Sequence, residues 1–269
     1  MDIIQAIILG LVQGTTEFIP VSSSGHLVLV PWLLGWESPG LVFDTVVHLG
    51  TLVAVLAYFW RDWLGLISAW LRGLVRWDWR DPQARLMWLL IVGSLPAAVI
   101  GYLLEHFFES LFGKPAWVSV FLLVTAGLLA LSERWGEQNR EMSSLRWRDA
   151  LVIGLAQTAA MAPGISRSGA TLAAGLLCGM RRTAAARFSF LLATPVIFGA
   201  GLLQLVDLFS SPDPLTQVPG LFAGFVAAAA SGYLCIWGLL RYLQRGRLYP
   251  FAIYCACAGL LGLLVVWLR

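Results

Sequence analysis

The chain has 269 residues, of which 59% are hydrophobic and only 12% are charged, and its mean hydropathy is +0.79. Soluble domains carry about 25% charged residues, so this composition excludes an ordinary soluble protein and indicates an integral membrane protein. The formal net charge of +3 is too small to indicate a nucleic-acid partner.

The N-terminal segment consists of two short apolar runs around the polar stretch TTEFIPVSSSGHL, residues 15–27. A helix over residues 3–12 reaches about 15 Å, whereas a hydrocarbon core is about 30 Å thick. Polar backbone at membrane depth is tolerated only when it is buried in protein or lines a wet cavity. The pattern therefore predicts a re-entrant helical hairpin over residues 1–35, with a polar turn that contains Gly14, Glu17 and Pro20.

The sequence of this hairpin recurs later in the chain. AIILGLVQGTTEFIPVSSSG (6–25) aligns with ALVIGLAQTAAMAPGISRSG (150–169). The identical pairs are Ala6 and Ala150, Gly10 and Gly154, Leu11 and Leu155, Gln13 and Gln157, Ser22 and Ser166, Ser24 and Ser168, and Gly25 and Gly169. We interpret this as an internal repeat within a single membrane domain, 1–269. Repeat 1 covers about 1–132, and repeat 2 covers about 149–269 with a second re-entrant hairpin at 149–180.

Longer apolar runs predict six transmembrane helices. They cover about 42–60, 86–104, 116–132, 188–206, 220–240 and 250–268. Between the first two, residues 60–79 interleave Trp, Leu and Arg, which predicts an interfacial helix on the inner surface of the membrane.

Basic residues concentrate on one side of these predicted spans. Most of the 18 Lys and Arg residues follow spans one, three and five or directly precede span four. The positive-inside rule places those loops in the cytoplasm and both termini outside. The first hairpin then enters from the outer face and the second from the inner face. We therefore predict an all-α polytopic membrane protein with inverted-topology repeats, six transmembrane helices and two re-entrant helical hairpins.

The two hairpin tips carry complementary chemistry. The first contains Glu17, Ser23 and His26, and the second contains Arg167 at the position equivalent to Ser23. A carboxylate can bind a divalent cation or act as a base, and an imidazole can move a proton near neutral pH. A guanidinium suits phosphate oxygens, and Ser and Gly at a helix start add hydroxyl and backbone N–H donors. The tips are therefore predicted to form one composite anion-binding site.

Structural roles are the alternatives for the same residues. Arg167 would then form an ion pair with Glu17, and His26 would be a hydrogen-bonded histidine without further function. Asp44 and His48 share a face of the first span through their i, i+4 spacing. The sequence leaves open whether these two support the site or only line the cavity.

The motifs QGTTEFIPVSSSGHL and PGISRSGAT resemble the two signatures of bacterial undecaprenyl-pyrophosphate phosphatases of the bacitracin-resistance type. GSLPAAVIG and ARFSFLLATPVIFGA are also similar to that family, so the resemblance covers nearly the whole chain. It implies hydrolysis of undecaprenyl pyrophosphate, a polyprenyl pyrophosphate lipid, to the monophosphate carrier of cell-wall synthesis, with resistance to bacitracin. It further implies Mg²⁺ or Ca²⁺ as cofactor, a homodimer, and a location among the lipids of the bacterial inner membrane with the site facing outward.

Carried over by position, the resemblance implies catalytic roles for Glu17, Ser23, His26 and Arg167, with Glu17 also binding the metal. It implies substrate binding by Gln13, Ser22, Ser24, Ser166, Ser168 and Thr171. One departure matters, because the family often has Glu at the position of Gln13 and Gln cannot ionise. A metal site with two carboxylates is therefore not expected, and Glu17 is expected to be the only strong protein ligand.

A transporter for the lipid or for a small anion is the main functional alternative, because inverted repeats and broken helices are also transporter features. A membrane-embedded assembly protein without chemistry is a third. A serine, a histidine and a glutamate on one tip favour an enzyme, since anion transport needs no nucleophile.

The topology gives a first testable prediction. A cysteine at Ser38 or Asp213, in a variant without the native cysteines, should react with a membrane-impermeant thiol reagent applied to intact cells. A cysteine at Gln138 should not react, because the Arg-rich loops lie in the cytoplasm. Reaction at Gln138 alone would reverse the orientation and place the first hairpin on the cytoplasmic side.

Overall fold

The computed structural model describes residues 1–76, 80–111, 113–209 and 214–269, and these ranges form helices and no β-strand. The helices are α1 (Ile3–Phe18), α2 (Ser23–Leu34), α3 (Gly40–Tyr58), α4 (Trp60–Arg76), α5 (Pro82–Leu103), α6 (Glu105–Glu109), α7 (Pro115–Trp135), α8 (Trp147–Ala159), α9 (Arg167–Leu177), α10 (Arg182–Phe209), α11 (Pro214–Tyr242) and α12 (Tyr249–Leu268). Asp213 and the end of the predicted interfacial helix, 77–79, lie outside the described residues.

Within the described ranges, six helices are long and apolar enough to cross a membrane. The spanning segments are Gly40–Tyr58, Pro82–Leu103, Pro115–Trp135, Arg182–Leu202, Val218–Tyr242 and Tyr249–Leu268. The helices α1 and α2 are apolar but shorter. These findings confirm the prediction of an all-α polytopic membrane protein with six spans.

The fourth span begins earlier than predicted. The sequence predicted its start near residue 188, whereas α10 already begins at Arg182. The difference lies in the three alanines at 184–186, which have the highest intrinsic helix propensity and continue the helix toward its N-terminus. Arg187 consequently lies on α10, where it donates a 2.7 Å hydrogen bond to Asp62 of α4.

The first hairpin has a shorter turn than the sequence predicted. Gly14 and Glu17, expected in the polar turn, lie inside α1, which continues to Phe18. The hydroxyls of Thr15 and Thr16 donate to carbonyls one turn earlier, at 2.8 Å and 2.6 Å, so they are satisfied within the helix. With 16 residues, α1 is about 24 Å long and still shorter than a hydrocarbon core.

Each hairpin packs against a spanning helix of the other half of the chain. A Cβ added at Gly10 of α1 would lie 2.3 Å from the carbonyl oxygen of Gly224 on α11. A Cβ added at Gly154 of α8 would lie 2.2 Å from the carbonyl oxygen of Gly93 on α5. Small residues allow this close approach of helix backbones in membranes. The two contacts are reciprocal. The internal repeat and its inverted orientation in the membrane stay predictions.

The helix α7 receives both hairpin tips, since α2 and α9 pack against it. The turn before α9 contains Gly164, whose φ of 104° lies in the region that favours glycine and where an added Cβ would collide with the Val118 carbonyl oxygen. The Thr125 hydroxyl donates to the Gly164 carbonyl and accepts from the backbone N–H of Ser166, both at 3.0 Å. These bonds set the start of α9, and with it the position of the second tip.

A buried ion pair ties three helices at the opposite end of α7. Glu133 on α7 accepts two hydrogen bonds from the Arg182 guanidinium at the start of α10, one of them 3.0 Å from Nε. It also accepts the backbone N–H of Leu248, before α12, at 3.2 Å. The Glu133 side chain is 2% exposed, so its charge depends on these partners for stabilisation.

The close glycine contact predicts a loss of stability on enlargement. Gly154→Ala should destabilise the protein by about 1–3 kcal/mol, because the new methyl group collides with the α5 backbone rather than with a movable side chain. Thermal unfolding of the purified protein in detergent is the measurement. Gly127→Ala on α7 is the matched control, since nothing lies within 4 Å of the added Cβ. Equal stability of the two variants would contradict the packing.

The buried ion pair predicts a second stability difference. Glu133→Gln should cost about 3–5 kcal/mol, because it leaves the Arg182 guanidinium without its carboxylate. Glu141 provides the comparison, because it forms an ion pair with Arg181 at the surface. The exposed fractions of the two side chains are 58% for Glu141 and 60% for Arg181. Glu141→Gln should therefore cost less than about 1 kcal/mol in the same unfolding measurement.

Candidate active site

Glu17 occupies the last turn of α1, and its side chain is only 3% exposed. Its Oε2 accepts hydrogen bonds from the Ser23 hydroxyl at 2.5 Å and from the Gln13 amide at 3.0 Å. Gln13 lies one turn earlier on the same helix and Ser23 begins α2, so one hairpin supplies all three groups. A buried carboxylate needs such donors, because nothing else replaces its hydration.

Arg167 reaches this carboxylate from the second hairpin. It is the first residue of α9, and its Nη2 donates to Glu17 Oε1 across 150 positions of sequence. The Arg167 side chain is 20% exposed, so part of the guanidinium remains accessible beside the buried carboxylate. The structure therefore brings the two tips together in one site, with the charges facing each other.

Equivalent serines cap the two tip helices. Ser22 accepts a hydrogen bond from the backbone N–H of Gly25 at 3.3 Å, and Ser166 accepts one from Gly169 at 3.0 Å. Both serines are almost fully buried, and Ser22 has a φ of 72°, which is uncommon for a residue with a side chain. The described contacts of these two hydroxyls are thus with the turns, and their predicted contact with substrate stays a prediction.

The equivalent serines Ser24 and Ser168 have different neighbours. Ser168 is hydrogen-bonded to Ser166 and donates to the backbone carbonyl of Ile19 in the first hairpin, both at 3.2 Å. Ser24 lies 3.4 Å from the hydroxyl of Ser22 and is half-buried. Ser168 therefore joins the hairpins, whereas Ser24 stays on its own tip.

Thr171 is hydrogen-bonded to its own helix and to α10. Its hydroxyl donates to the backbone carbonyl of Arg167 at 2.8 Å and is hydrogen-bonded to the Ser189 hydroxyl of α10 at 2.5 Å. Only 1% of the residue is exposed. These contacts hold α9 against α10, and the predicted contact of Thr171 with substrate stays a prediction.

His26 contacts residues other than the predicted catalytic residues with which the sequence grouped it. Its Nδ1 lies 2.7 Å from the Ser22 carbonyl, and its Nε2 lies 2.6 Å from the Tyr254 hydroxyl on α12. A carbonyl only accepts, so Nδ1 carries a proton and Nε2 of the neutral ring accepts from tyrosine. In the described residues, no hydrogen bond joins His26 to Glu17, Ser23 or Arg167. The sequence did not reveal Tyr254, which lies in an apolar span 228 positions away.

His48 is the histidine that faces the carboxylate. Its Nε2 lies 3.7 Å from Glu17 Oε2, and its Nδ1 lies 2.6 Å from the backbone carbonyl of Asp44. The i, i+4 spacing brought these residues together as expected, but through the carbonyl of Asp44 rather than its side chain. The Asp44 Oδ1 atom is buried and has no hydrogen-bond partner within the part of the chain that is described.

The donors around Glu17 fit a divalent cation that is shared with a substrate. No group of three or more His, Cys, Asp or Glu residues that could hold a metal occurs among the described residues. Oxygen donors are nevertheless present: the Glu17 carboxylate, the Ser23 hydroxyl and the buried Gln13 Oε1, which has no hydrogen-bond partner there. Mg²⁺ is commonly bound by one or two carboxylates together with water and substrate phosphates.

The arrangement places a hydroxyl, a carboxylate and a guanidinium together, and these groups can act as a nucleophile, a base and a cation for phosphate oxygens. The Ser23 hydroxyl already donates to Glu17, which is the geometry needed for proton removal from an attacking oxygen. The accessible guanidinium of Arg167 can bind and neutralise phosphate oxygens. Such a set suits displacement at phosphorus.

Comparison with known proteins agrees with this chemistry. A family model described as bacitracin resistance protein BacA matches residues 6–261. Among similar proteins, the undecaprenyl-diphosphatase of Desulforudis audaxviator is 47% identical over 269 residues and is covered in full, as is this chain. Those of Thermomicrobium roseum and Geotalea daltonii are 47% and 43% identical, with 99% of each chain aligned. The chain therefore belongs to the BacA family of bacitracin resistance proteins.

Proposed function

We propose that this protein hydrolyses undecaprenyl pyrophosphate to undecaprenyl phosphate and inorganic phosphate, which recycles the carrier lipid for cell-wall synthesis and confers resistance to bacitracin. The observation that carries the proposal is the meeting of Glu17, Ser23 and Arg167 at the tips of two apolar hairpins. The relatives named undecaprenyl-diphosphatase supply the substrate. An isoprenoid pyrophosphate suits the setting, because its tail stays in lipid while its head group reaches the tips.

The reaction follows from the three groups. Arg167 binds oxygens of the terminal phosphoryl group and offsets the charge that develops as the bridging oxygen departs. Glu17 accepts the proton of the attacking hydroxyl, which belongs to Ser23 or to a water molecule that Ser23 positions. The new P–O bond forms at the terminal phosphorus, the bond to the bridging oxygen breaks, and undecaprenyl phosphate leaves. Attack by water gives inorganic phosphate directly, whereas attack by Ser23 gives a phosphoserine, which a water molecule then hydrolyses to inorganic phosphate and free serine.

His26 and the divalent cation have supporting roles in this proposal. With Nδ1 held by the Ser22 carbonyl, His26 exchanges a proton only through Nε2, which Tyr254 contacts. Glu17 would hold a Mg²⁺ or Ca²⁺ ion together with phosphate oxygens, and the ion would neutralise substrate charge. The ion would add to the positive charge of Arg167, which its ion pair with Glu17 balances only in part.

The location of the protein in the cell is a further part of the proposal, which starts from the six helices that can cross a membrane. We place the protein in the bacterial inner membrane among its lipids, with the site facing outward, because the Arg-rich loops indicate a cytoplasmic opposite face. The homodimer implied by the family resemblance stays a prediction. The transporter alternative receives no support from the relatives, whose names describe a diphosphatase.

Phosphate release by purified protein tests the function and the composite site together. Wild type should release phosphate from undecaprenyl pyrophosphate, and Ser23→Ala and Arg167→Ala should each lose about 10²–10³ in rate. If both groups act on one bond, the double variant should be little worse than the poorer single variant. Losses that multiply would mean that the two tips act independently. No phosphate release by folded wild type would reject the enzyme.

Matched variants separate chemistry from folding in this assay. Arg167→Lys should remain badly impaired, because lysine keeps the charge but loses the planar pair of donors. Ser68→Ala and Arg181→Ala should retain wild-type rates. Within the described residues the Ser68 hydroxyl bonds to its own helix α4, and Arg181 forms an exposed ion pair. Thermal unfolding of every variant provides the check on folding.

A further inference from the structure

His48 on α3 is held through one ring nitrogen and presents the other to Glu17. The 2.6 Å contact of Nδ1 with the Asp44 carbonyl places the proton of the neutral ring on Nδ1, because a carbonyl cannot donate. The lone pair of Nε2 then points outward from α3, 3.7 Å from Glu17 Oε2. Metal-binding histidines almost always donate their second ring nitrogen to a carbonyl or carboxylate in this way.

The separation of these two atoms is close to that of adjacent ligands of one ion. Two atoms that each lie about 2.1 Å from Mg²⁺ are about 3.0 Å apart at right angles and about 4.2 Å apart across the ion. The 3.7 Å between His48 Nε2 and Glu17 Oε2 is about 0.7 Å longer than the adjacent separation, so the two side chains would move together by that amount on binding Mg²⁺ at adjacent positions. This separation is too long for a hydrogen bond, so a direct bond between the two side chains does not account for the arrangement.

Gln13 supplies a third potential ligand atom, its Oε1, beside the same carboxylate oxygen. Gln13 is fully buried, and its Nε2 donates to Glu17 Oε2 at 3.0 Å. Its Oε1 is buried without a hydrogen-bond partner in the described residues. Burial of an unsatisfied amide oxygen costs about 1–3 kcal/mol. Coordination of a cation would remove that cost, since amide oxygens are ordinary ligands of hard cations.

Arg167 determines which side of the carboxylate is available. It engages Oε1 of Glu17, whereas Gln13 and His48 approach Oε2. The Ser23 hydroxyl also bonds Oε2, so a cation there would lie beside the attacking group. A cation on the Oε2 side would therefore be separated from the guanidinium by the carboxylate itself, which limits repulsion between the two positive groups.

We propose that His48 is a direct ligand of the divalent cation in this site, together with Glu17 Oε2 and Gln13 Oε1. The imidazole and the amide together take the place of a second carboxylate. The proposal rests on the proposed phosphatase function, and it changes the expected metal preference. One nitrogen ligand makes the site more favourable for transition metals such as Co²⁺ than an all-oxygen site, whereas Ca²⁺ prefers oxygen ligands.

Electron spin echo spectroscopy of bound Mn²⁺ tests the ligand without relying on activity. The full-length protein, purified without a histidine tag, should show modulation of the echo from an imidazole nitrogen. His48→Gln should abolish that modulation. His106→Gln on α6 is the matched control and should keep it, as should the double variant His26→Gln with His106→Gln, in which His48 is the remaining one of three histidines.

Titration with metals provides the second readout. His48→Gln should weaken Co²⁺ binding at least about tenfold while changing Ca²⁺ binding much less, because glutamine offers an oxygen in place of nitrogen. Absence of nitrogen modulation in wild type, its persistence in His48→Gln, or failure of wild type to bind Mn²⁺ would overturn the proposal. Phosphate release by the same wild-type preparation separates the two ideas: activity without nitrogen coordination rejects only the ligand, whereas a folded, inactive wild type rejects the function.

Discussion

The rest of the site depends on the ion pair between Glu17 and Arg167. Each charge comes from a different apolar hairpin, and neither would be stable at that depth without its partner, because unpaired charges in membrane interiors are costly. Pairing satisfies both charges and fixes the distance between the tips. It also leaves the Arg167 side chain partly exposed while the carboxylate is buried, so the site keeps an accessible cation for an anionic head group.

Close helix packing makes this pairing possible. Gly10 and Gly154 let the first helix of each hairpin lie directly against the backbone of a spanning helix from the other half. Each half therefore holds the hairpin of the other, and α7 contacts the second helix of both. This arrangement explains why so many serine and threonine hydroxyls near the tips bond to backbone atoms. These hydroxyls provide hydrogen bonds for backbone polar groups of the turns, which water cannot reach. The Ser23 hydroxyl instead bonds the Glu17 carboxylate.

The two histidines near the site have different environments, and their neighbours indicate different roles. His26 is fixed at both nitrogens, between the Ser22 carbonyl and the Tyr254 hydroxyl. His48 is fixed at one nitrogen and directs the other toward Glu17. A ring that keeps an available lone pair beside a carboxylate suits metal coordination, whereas a ring that is hydrogen-bonded at both nitrogens suits a stable tautomer and exchange with its tyrosine.

The sequence by itself determined the class of the protein, the six spans and the family, because these depend on composition, on the length of apolar runs and on contiguous motifs. It also identified Glu17, Ser23 and Arg167 as candidates, since polar groups in an apolar chain and a repeat with unequal tips are visible locally. Only the tertiary structure decided that α1 continues through Glu17, that Tyr254 contacts His26, and that His48 rather than His26 faces the carboxylate. Those features depend on side-chain direction and on contacts between helices far apart in the chain, and no local pattern of residues specifies either.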